Sequence, residues 1–423
     1  MNNYHNHSFL NFLKSGHGGA YLMIRYEEDA EKRQEYRTAL IHAALHDLRY
    51  DSQCFNERSG YLWDMIALFP DRDDIVAEIL RRAATDLPQE IPFWDFIHRL
   101  DLFGRLKAEG YGEAEDVLTQ YYDTLWDYLH GRPKVRLCWD EDMQKMEELA
   151  NRLGKPIPET EQESPVPDTP DPKKKWEGRP SLPKNVEELI AALRKDHRLP
   201  YYSNTLRKLT DTEIRQLADA ALAEEDVSER SNLFSAFAMV DYPYDPAPLI
   251  RVARENLPKT DDMEVPVSVH QRFWNTHRAL ERLRHPAVRE YGEWLLTSRP
   301  PETCRRLGLR ILVRNYLPTD RERIWMWRNN SIASEAEGNT LWGTDWHEID
   351  SGIVEAAKTD PHRFDPDFFP LIYYTTLCPH ERMAAFTIME ELGMLNAFML
   401  EESIHDSEET LRDKAKELLH SRT

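Results

Sequence analysis

The stretch that decides the fold runs from Tyr61 to Asp71 and reads YLWDMIALFPD. Its apolar side chains recur at the three- and four-residue spacing of a helix. Pro70 ends this pattern, because proline has no backbone N–H to donate inside a helix. After Asp71 a second apolar pattern begins with Ile75 and Ile79. The stretch therefore predicts two helices joined by a short break.

The same order of features occurs twice more in the chain. It returns as 233–240 followed by Pro243 and Asp245, and as 307–316 followed by Pro318 and Asp320. Recurring helix pairs are typical of architectures in which each pair packs on the next and buries a continuous core. The sequence therefore predicts an all-α fold built as an α-solenoid of helical hairpins.

Composition places the chain among folded proteins and limits its partners. Hydrophobic residues make up 41% of the 423 residues and aromatic residues 10%, which is enough to build a packed interior. Aspartate and glutamate number 75 against 54 lysines and arginines, a formal net charge of −21. Because such a charge repels polyanions, we expect no binding to nucleic acid or to an anionic membrane.

Targeting and redox signals are missing from the sequence. The first residues lack the basic and apolar regions of a secretory signal, and no run approaches the roughly 20 apolar residues that cross a bilayer. The cysteines are far apart and form no C-x-x-C pair: Cys54, Cys138, Cys304 and Cys378. We therefore expect a cytoplasmic protein with no disulfide framework, zinc knuckle or cofactor.

A proline-rich segment divides the sequence into two helical parts. The prolines lie among charged residues and threonine at positions 156, 158, 165, 167, 170, 172, 180 and 183. A stretch so poor in apolar residues cannot bury enough surface to offset its ordering entropy. We therefore predict an N-terminal helical-repeat domain at 1–154, a charged linker at 155–184 and a C-terminal helical-repeat domain at 185–423.

The second part contains a stretch at 285–296 that reads HPAVREYGEWLL. Pro286 suits the first turn of a helix, Gly292 permits close approach of a neighbouring helix, and Val288 shares a face with Leu295. With its Val-Arg pair behind the proline, the stretch resembles the first helix of a HEAT-like repeat, and 381–395 is a second instance. The resemblance implies HEAT-like hairpins that bind other proteins on an extended surface.

A different hypothesis starts from AALHDL at 43–48, which contains His46 and Asp47. It resembles the central His-Asp pair of HD-domain phosphohydrolases, all-α enzymes in which the pair binds a metal ion that activates water. The resemblance implies further ligands, for which the candidates are His17 or His7, and Asp95, Asp101 or Asp123. The sequence departs from the family where Arg49 and Tyr50 replace the usual Gly-Lys. The alternative is a helix C-terminus at which His46 lies near the last carbonyls.

Two further patterns could hold ligands. His42 and His46 are four residues apart, and therefore on one helix face, where a transition metal could bind. Without a third ligand at a fixed spacing, such a pair is typical of solvent-facing histidines. The segment SGHGGA at 15–20 could cradle a phosphate, but it has neither the Walker lysine nor a preceding strand. It therefore predicts a turn.

Tryptophans and arginines gather in one predicted helix. Trp325 and Trp327 alternate there, with Arg323 and Arg328 beside them. Alternate positions of a helix cannot both face the core, so we expect one tryptophan to be partly exposed. Trp and Arg are enriched at the energetic centres of interfaces. We therefore predict these four residues as a binding surface, and the tryptophans at 342 and 346 as a second candidate.

Three functional hypotheses follow. The first, which we favour, is a non-enzymatic scaffold that binds another protein or peptide and has no catalytic or metal-binding residues of its own. The second is a metal-dependent phosphohydrolase centred on His46 and Asp47. The third is similarity to HEAT-like alkylpurine DNA glycosylases, which would require a basic groove lined by Trp and Asp. The acidic charge balance opposes that groove.

Overall fold

The computed structural model describes residues 9–49, 58–85, 93–121, 182–195, 199–257, 267–297, 302–336 and 345–422. Throughout these ranges every regular element is an α-helix or a 3-10 helix, and no strand occurs. The all-α prediction is therefore confirmed. The chain forms two compact units, the first made of Met1–Lys173 with Phe369–Thr423 and the second of Lys174–Phe368.

The first unit begins with α1 (Phe9–Ser15), α2 (Gly19–Tyr26), α3 (Ala30–Leu45), α4 (Arg58–Ile66), α5 (Arg72–Thr85) and α6 (Phe93–Ala108). Asp29 caps α3, because its carboxylate accepts hydrogen bonds from the backbone N–H groups of Glu31 and Lys32. Helix α3 packs against α4, α5 and α6. Fully buried Leu40 and Phe103 belong to the core that these helices share.

The break at Pro70 separates α4 from α5, as the sequence predicted. Within the turn, the Ile75 N–H donates to the Asp71 carbonyl over 3.1 Å. The Asp71 carboxylate accepts a hydrogen bond of 3.1 Å from Nε of Arg37 in α3. The aspartate after the proline therefore ties its hairpin to the preceding helix.

The second unit contains α7 (Val186–Lys195), α8 (Leu199–Leu206), α9 (Asp211–Ala223), α10 (Val227–Ser235), α11 (Ala247–Glu255), α12 (Val267–Glu281), α13 (Pro286–Thr297), α14 (Glu302–Arg314), α15 (Arg321–Ala336) and α16 (Asp345–Ala357). Helices that follow each other pack together, namely α11 with α12, α13 with α14, and α15 with α16. In addition, α14 contacts both α12 and α16, and α11 contacts α13.

Glycines allow α13 and α14 to approach closely. A Cβ atom at Gly292 would lie 2.8 Å from Cγ2 of Ile311, and one at Gly308 would lie 2.9 Å from the Gly292 carbonyl oxygen. Real Cβ atoms do not come so close to other heavy atoms. The predicted role of Gly292 in close helix approach is therefore confirmed.

The Pro-Asp break between α14 and α15 forms a 3-10 turn at Pro318–Asp320. The Asp320 carboxylate accepts the Leu317 N–H over 2.8 Å. It also accepts two bonds of 2.7 Å from Nη1 and Nη2 of Arg289, the arginine of the Val-Arg pair in α13. As in the first unit, the aspartate ties a hairpin to an earlier helix.

The end of the chain forms α17 (Phe368–Thr375), α18 (Pro379–Glu391), α19 (Ala397–Ser403) and α20 (Glu409–Arg422). The Ser407 N–H donates to the Gly16 carbonyl over 2.8 Å, and Gly16 has a left-handed φ of 75°. A Cβ at Gly18 would lie 1.8 Å from the Glu402 carbonyl oxygen. Residues near 402–407 of the tail therefore pack against the predicted turn at 15–20.

This packing places the tail differently from the sequence-based division. The sequence grouped 185–423 as one domain, whereas the structure packs 369–423 with the N-terminal helices. The physical reason is the turn at 16–19, which we call the glycine turn: Gly16 and Gly18 carry no side chain, so the backbone near Glu402 can approach. Most of the predicted linker, 155–181, lies outside the described residues.

Candidate functional site

The start of α15 presents apolar side chains at the surface of the second unit. Met326 is 52% exposed, and Leu317, just before the 3-10 turn, is 47% exposed. Trp325 and Trp327 are both half-buried, while Ile324 is fully buried. We call Leu317, Arg323, Met326 and Trp327 the arginine–tryptophan surface.

Arginines cover both tryptophans of α15. The guanidinium carbon of Arg321 lies 5.2 Å from the ring centroid of Trp325, and that of Arg323 lies 5.0 Å from the centroid of Trp327. A cation over an indole ring is attracted by the electrons of its face. These contacts restrict the rotamers of both tryptophan rings.

Carboxylates of neighbouring helices hold Arg323. Its Nη1 and Nη2 donate to the two oxygens of Glu293 in α13, over 2.9 and 2.6 Å. Its Nη2 also donates to Asp320 over 3.1 Å. The hydrogen bonds to Glu293 raise the pKa of Arg323. Burial opposes ionisation of Asp320, but hydrogen bonds from Arg289 and Leu317 outweigh it and lower the Asp320 pKa. The charged network therefore fixes Arg323 against Trp327.

Arg328 does not belong to this surface, which corrects the sequence-based grouping. Its side chain is fully buried and paired with fully buried Asp350 of α16. Nε donates to Oδ1 over 2.5 Å, and Nη2 donates to Oδ2 over 2.8 Å. The reason is helix geometry, because at about 100° per residue Arg328 emerges on a different side of α15 from Arg323. Trp346 of the second predicted pair is also fully buried, and position 342 lies outside the described residues.

A second arginine–aromatic contact lies next to the first. The guanidinium carbon of Arg254 in α11 is 4.8 Å from the ring centroid of Trp294 and 5.7 Å from that of Tyr291. Trp294 follows Glu293, the residue that binds Arg323, so both arginine–aromatic contacts involve side chains of α13 or the residues that they bind. Neither Arg254 nor Trp294 is among the binding residues that the sequence predicted. The sequence signal that could have indicated this contact was the tryptophan at position 294, within the stretch 285–296.

The His-Asp pair lies at the end of α3, where His46 is the residue that follows the helix. Its Nδ1 is 3.0 Å from Oδ2 of Asp95, and the Asp47 N–H donates to Oδ1 of Asp95 over 2.8 Å. The His42 ring lies 4.4 Å from that of His46, and burial lowers the His42 pKa. Of the predicted carboxylate ligands, Asp95 therefore lies within hydrogen-bonding distance of both His46 and Asp47.

Both carboxylate oxygens of Asp47 accept hydrogen bonds from Arg49. Nε of Arg49 donates to Oδ1 over 2.8 Å, its Nη2 donates to Oδ2 over 2.7 Å, and its backbone N–H donates to Oδ1 over 3.1 Å. Burial opposes ionisation of Asp47, but the bonds and charge of Arg49 outweigh it and lower the pKa of Asp47. Because both oxygens bind a cation already, this carboxylate does not fit the role of a metal ligand.

The remaining metal candidates do not join the pair. His17 is fully buried with its Nδ1 accepting the Gly19 N–H over 2.9 Å and its ring stacked on Phe12. Asp101 is exposed, and positions 7 and 123 lie outside the described residues. Buried His98, which is not among the predicted ligands, donates from Nε2 to the Ala43 carbonyl over 2.8 Å. Burial lowers the His98 pKa to about 4, so the ring is uncharged at neutral pH.

No family model, curated protein or solved structure matches this chain. In the part of the chain that the structure describes, no helix has the length and apolar character needed to cross a bilayer.

Proposed function

We propose that the chain is a non-enzymatic scaffold of HEAT-like helical hairpins that binds another protein through the arginine–tryptophan surface. The observation that carries this proposal is the exposure of Met326 next to Trp327, whose ring is covered by Arg323. An apolar surface in contact with water gains free energy when a partner covers it. A rigid aromatic anchor adds to affinity because little rotamer freedom is lost on binding.

The packing of the second unit supports the HEAT-like part of the proposal. Consecutive helices pair, and α14 lies against the helices α12 and α16 of the pairs before and after it. This is the contact pattern expected when each hairpin packs only on its neighbours. The Arg289–Asp320 pair links successive hairpins in the same way. A stack of this kind would present α11, α13 and α15 along one side.

The phosphohydrolase alternative has weaker support. Its central carboxylate, Asp47, is 1% exposed and is bound at both oxygens by Arg49. Arg49 stands where the HD family usually has Gly-Lys, so the departure in sequence is also the obstacle in the structure. The network of His46, Asp95, Asp47 and Arg49 closes the end of α3 as a structural cap.

The proposal is tested by site-specific photo-crosslinking in the cells that produce the protein. A photoreactive amino acid replaces Met326 in one variant and Leu222 of α9, which is 45% exposed, in the control. We expect a protein that crosslinks from position 326 and not from position 222. With that protein purified, Met326→Asp should weaken its binding to the full chain at least about tenfold, as for a hot-spot residue. Leu222→Asp should leave it unchanged.

Three results would overturn the proposal. They are the same crosslinked proteins at both positions, no crosslinked protein at position 326, or equal affinities for wild type and Met326→Asp.

A further inference from the structure

Arg254 of α11 is an exposed cation that lies on aromatic rings. Among the residues that the structure describes, its side chain has no carboxylate partner and no hydrogen bond, and its contacts are the rings of Trp294 and Tyr291. The carboxylate next to it in sequence, Glu255, is bound by Arg230 over 2.7 Å. The charge of Arg254 is therefore unmatched within the described part of an otherwise acidic protein.

Three arginines of α13 and α15 near this face bind carboxylates. Arg289 and Arg323 bind Asp320 and Glu293, as described above. Arg321 binds Asp365 of the same unit over 2.5 Å. Arg254 contacts an aromatic ring as Arg321 and Arg323 do, but within the described residues no carboxylate binds its N–H donors.

The rings beneath Arg254 are themselves fixed. Trp294 stacks on Tyr291 with a centroid distance of 5.7 Å and an interplanar angle of 19°. The Tyr291 hydroxyl lies 2.9 Å from Nε2 of His277, and both of these residues are buried. Trp294 is half-buried, so part of its ring is accessible beside the guanidinium.

We propose that Arg254, Trp294 and Tyr291 form a recognition site for an aspartate or glutamate side chain of a partner protein, flanked by an apolar residue. A guanidinium that packs on a ring through its face keeps the N–H donors in its plane available, and their fork matches a carboxylate. The accessible part of Trp294 receives the apolar neighbour. The inference rests on the proposed protein-binding function, and it extends the arginine–tryptophan surface to α11.

The probe is a phage-displayed library of random linear peptides, selected on the full-length chain. We expect enrichment of peptides in which Asp or Glu adjoins an apolar residue. A synthetic enriched peptide should lose about tenfold or more in affinity for Arg254→Ala, the range of a charge-assisted hydrogen bond. Arg254→Lys should be intermediate, because lysine keeps the charge and loses the planar fork.

Arg251 provides the matched control. It is exposed, lies one turn earlier on α11, and has neither a carboxylate partner nor a ring contact within the described residues. Arg251→Ala removes the same charge but no guanidinium fork on a ring, so it should lower the affinity by clearly less than Arg254→Ala does, by about two- to threefold for an exposed charge. Unchanged circular dichroism and thermal unfolding would show that the variants are folded.

The possible outcomes separate this inference from the proposed function. Lack of enrichment for acidic peptides, equal affinity for wild type and Arg254→Ala, or an equal loss in Arg251→Ala would each overturn the recognition site. The proposed function would remain if a partner still required Met326. If position 326 also failed to crosslink a partner, the proposed function would fall separately.

Discussion

Two fully buried arginine–aspartate pairs, one in each unit, differ in how completely they are hydrogen-bonded. In the second unit, Arg328 binds both oxygens of Asp350 through Nε and Nη2. In the first unit, only Nη2 of Arg382 binds Asp406, over 2.9 Å. Within the described residues, Nε and Nη1 of Arg382 and Oδ2 of Asp406 have no hydrogen-bond partner. A buried pair offsets its desolvation only when the geometry satisfies both groups.

The first unit also contains another buried arginine, Arg58, apart from the Arg382–Asp406 pair. Arg58 lies over the Tyr61 ring at 5.0 Å and donates from Nη2 to the carbonyls of Leu13 and Lys14. Burial lowers the pKa of Arg58 to about 10. Backbone carbonyls and an aromatic ring therefore hold this arginine. The comparison indicates that a carboxylate balances the buried Arg328 of the second unit, whereas backbone carbonyls and an aromatic ring hold the buried Arg58 of the first.

The largest expected loss of stability comes from breaking the fully hydrogen-bonded Arg328–Asp350 pair. Asp350→Ala leaves the Arg328 guanidinium buried without a counter-charge, which should lower the free energy of unfolding by about 3–5 kcal/mol. Urea denaturation, with hydrogen exchange of α15 and α16, would measure the change. The double variant Arg328→Met/Asp350→Leu should recover much of it, since no buried charge is left. A loss under about 1 kcal/mol, the value of an exposed pair, would contradict the comparison.

The next effect concerns the close packing of the first unit. Gly18→Ala places a methyl group where the Glu402 carbonyl oxygen lies, so the tail must shift, at a cost of about 1–3 kcal/mol. Gly112→Ala is the control, because a Cβ at Gly112 meets no atom within 4 Å. Thermal unfolding and hydrogen exchange of α19 would report the difference. Equal stability of the two variants would argue that the glycine turn does not hold the tail.

A third prediction concerns how the stability of each unit changes as the pH falls. Burial lowers the pKa of His98 and of His405 to about 4, so these rings stay neutral while histidines of the unfolded chain bind protons below a pH of about 6.5. Unfolding therefore takes up protons, and the first unit should lose stability as pH falls from about 6.5 towards 4. Glu281 in the second unit responds in the opposite sense, because burial raises its pKa and protonation favours the fold.

Hydrogen exchange at neutral pH and at pH 5 would measure this difference between the units. His98 alone should contribute about 2 kcal/mol of lost stability at pH 5. His98→Gln keeps a donor for the Ala43 carbonyl and removes the titrating ring, so its stability should depend less on pH. If the second unit opened first, or if His98→Gln kept the full pH dependence, the assignment would be wrong.

The smallest effect on stability should come from the exposed network of the second unit. Arg323→Met removes the bonds to Glu293 and the contact with Trp327, yet Arg323 is partly exposed, so the cost should stay below about 1 kcal/mol. Urea denaturation measures the stability of this variant. A cost as large as that of Asp350→Ala would erase the distinction between a buried and an exposed pair.

Local signals account for what the sequence predicted correctly. Proline and aspartate act within a few residues, so the breaks at Pro70 and Pro318 could be located from the sequence alone. The close approach at Gly292 was also visible, because the glycine lies among larger residues of one helix.

Contacts between distant residues account for what was missed. The Tyr26 hydroxyl donates to Glu401 over 2.8 Å, across 375 residues of sequence, and no local pattern indicates that the tail reaches α2. The contact of Arg254 with Trp294 likewise depends on α11 lying beside α13. For Arg328, the sequence showed an arginine near tryptophans but not its buried partner, Asp350.

The seating of the tail on the glycine turn has a consequence for synthesis on the ribosome. All residues of the second unit precede position 369, so its helices can pack while the tail is still being translated. The first unit cannot finish until Ser407 has emerged and reached Gly16. The N-terminal helices of the first unit therefore keep the surface that packs against the tail exposed to solvent while the whole second unit is synthesised. If translation ended in this interval, the chain would have a folded second unit and an incompletely folded first unit. Chaperones and proteases would act on that incompletely folded unit.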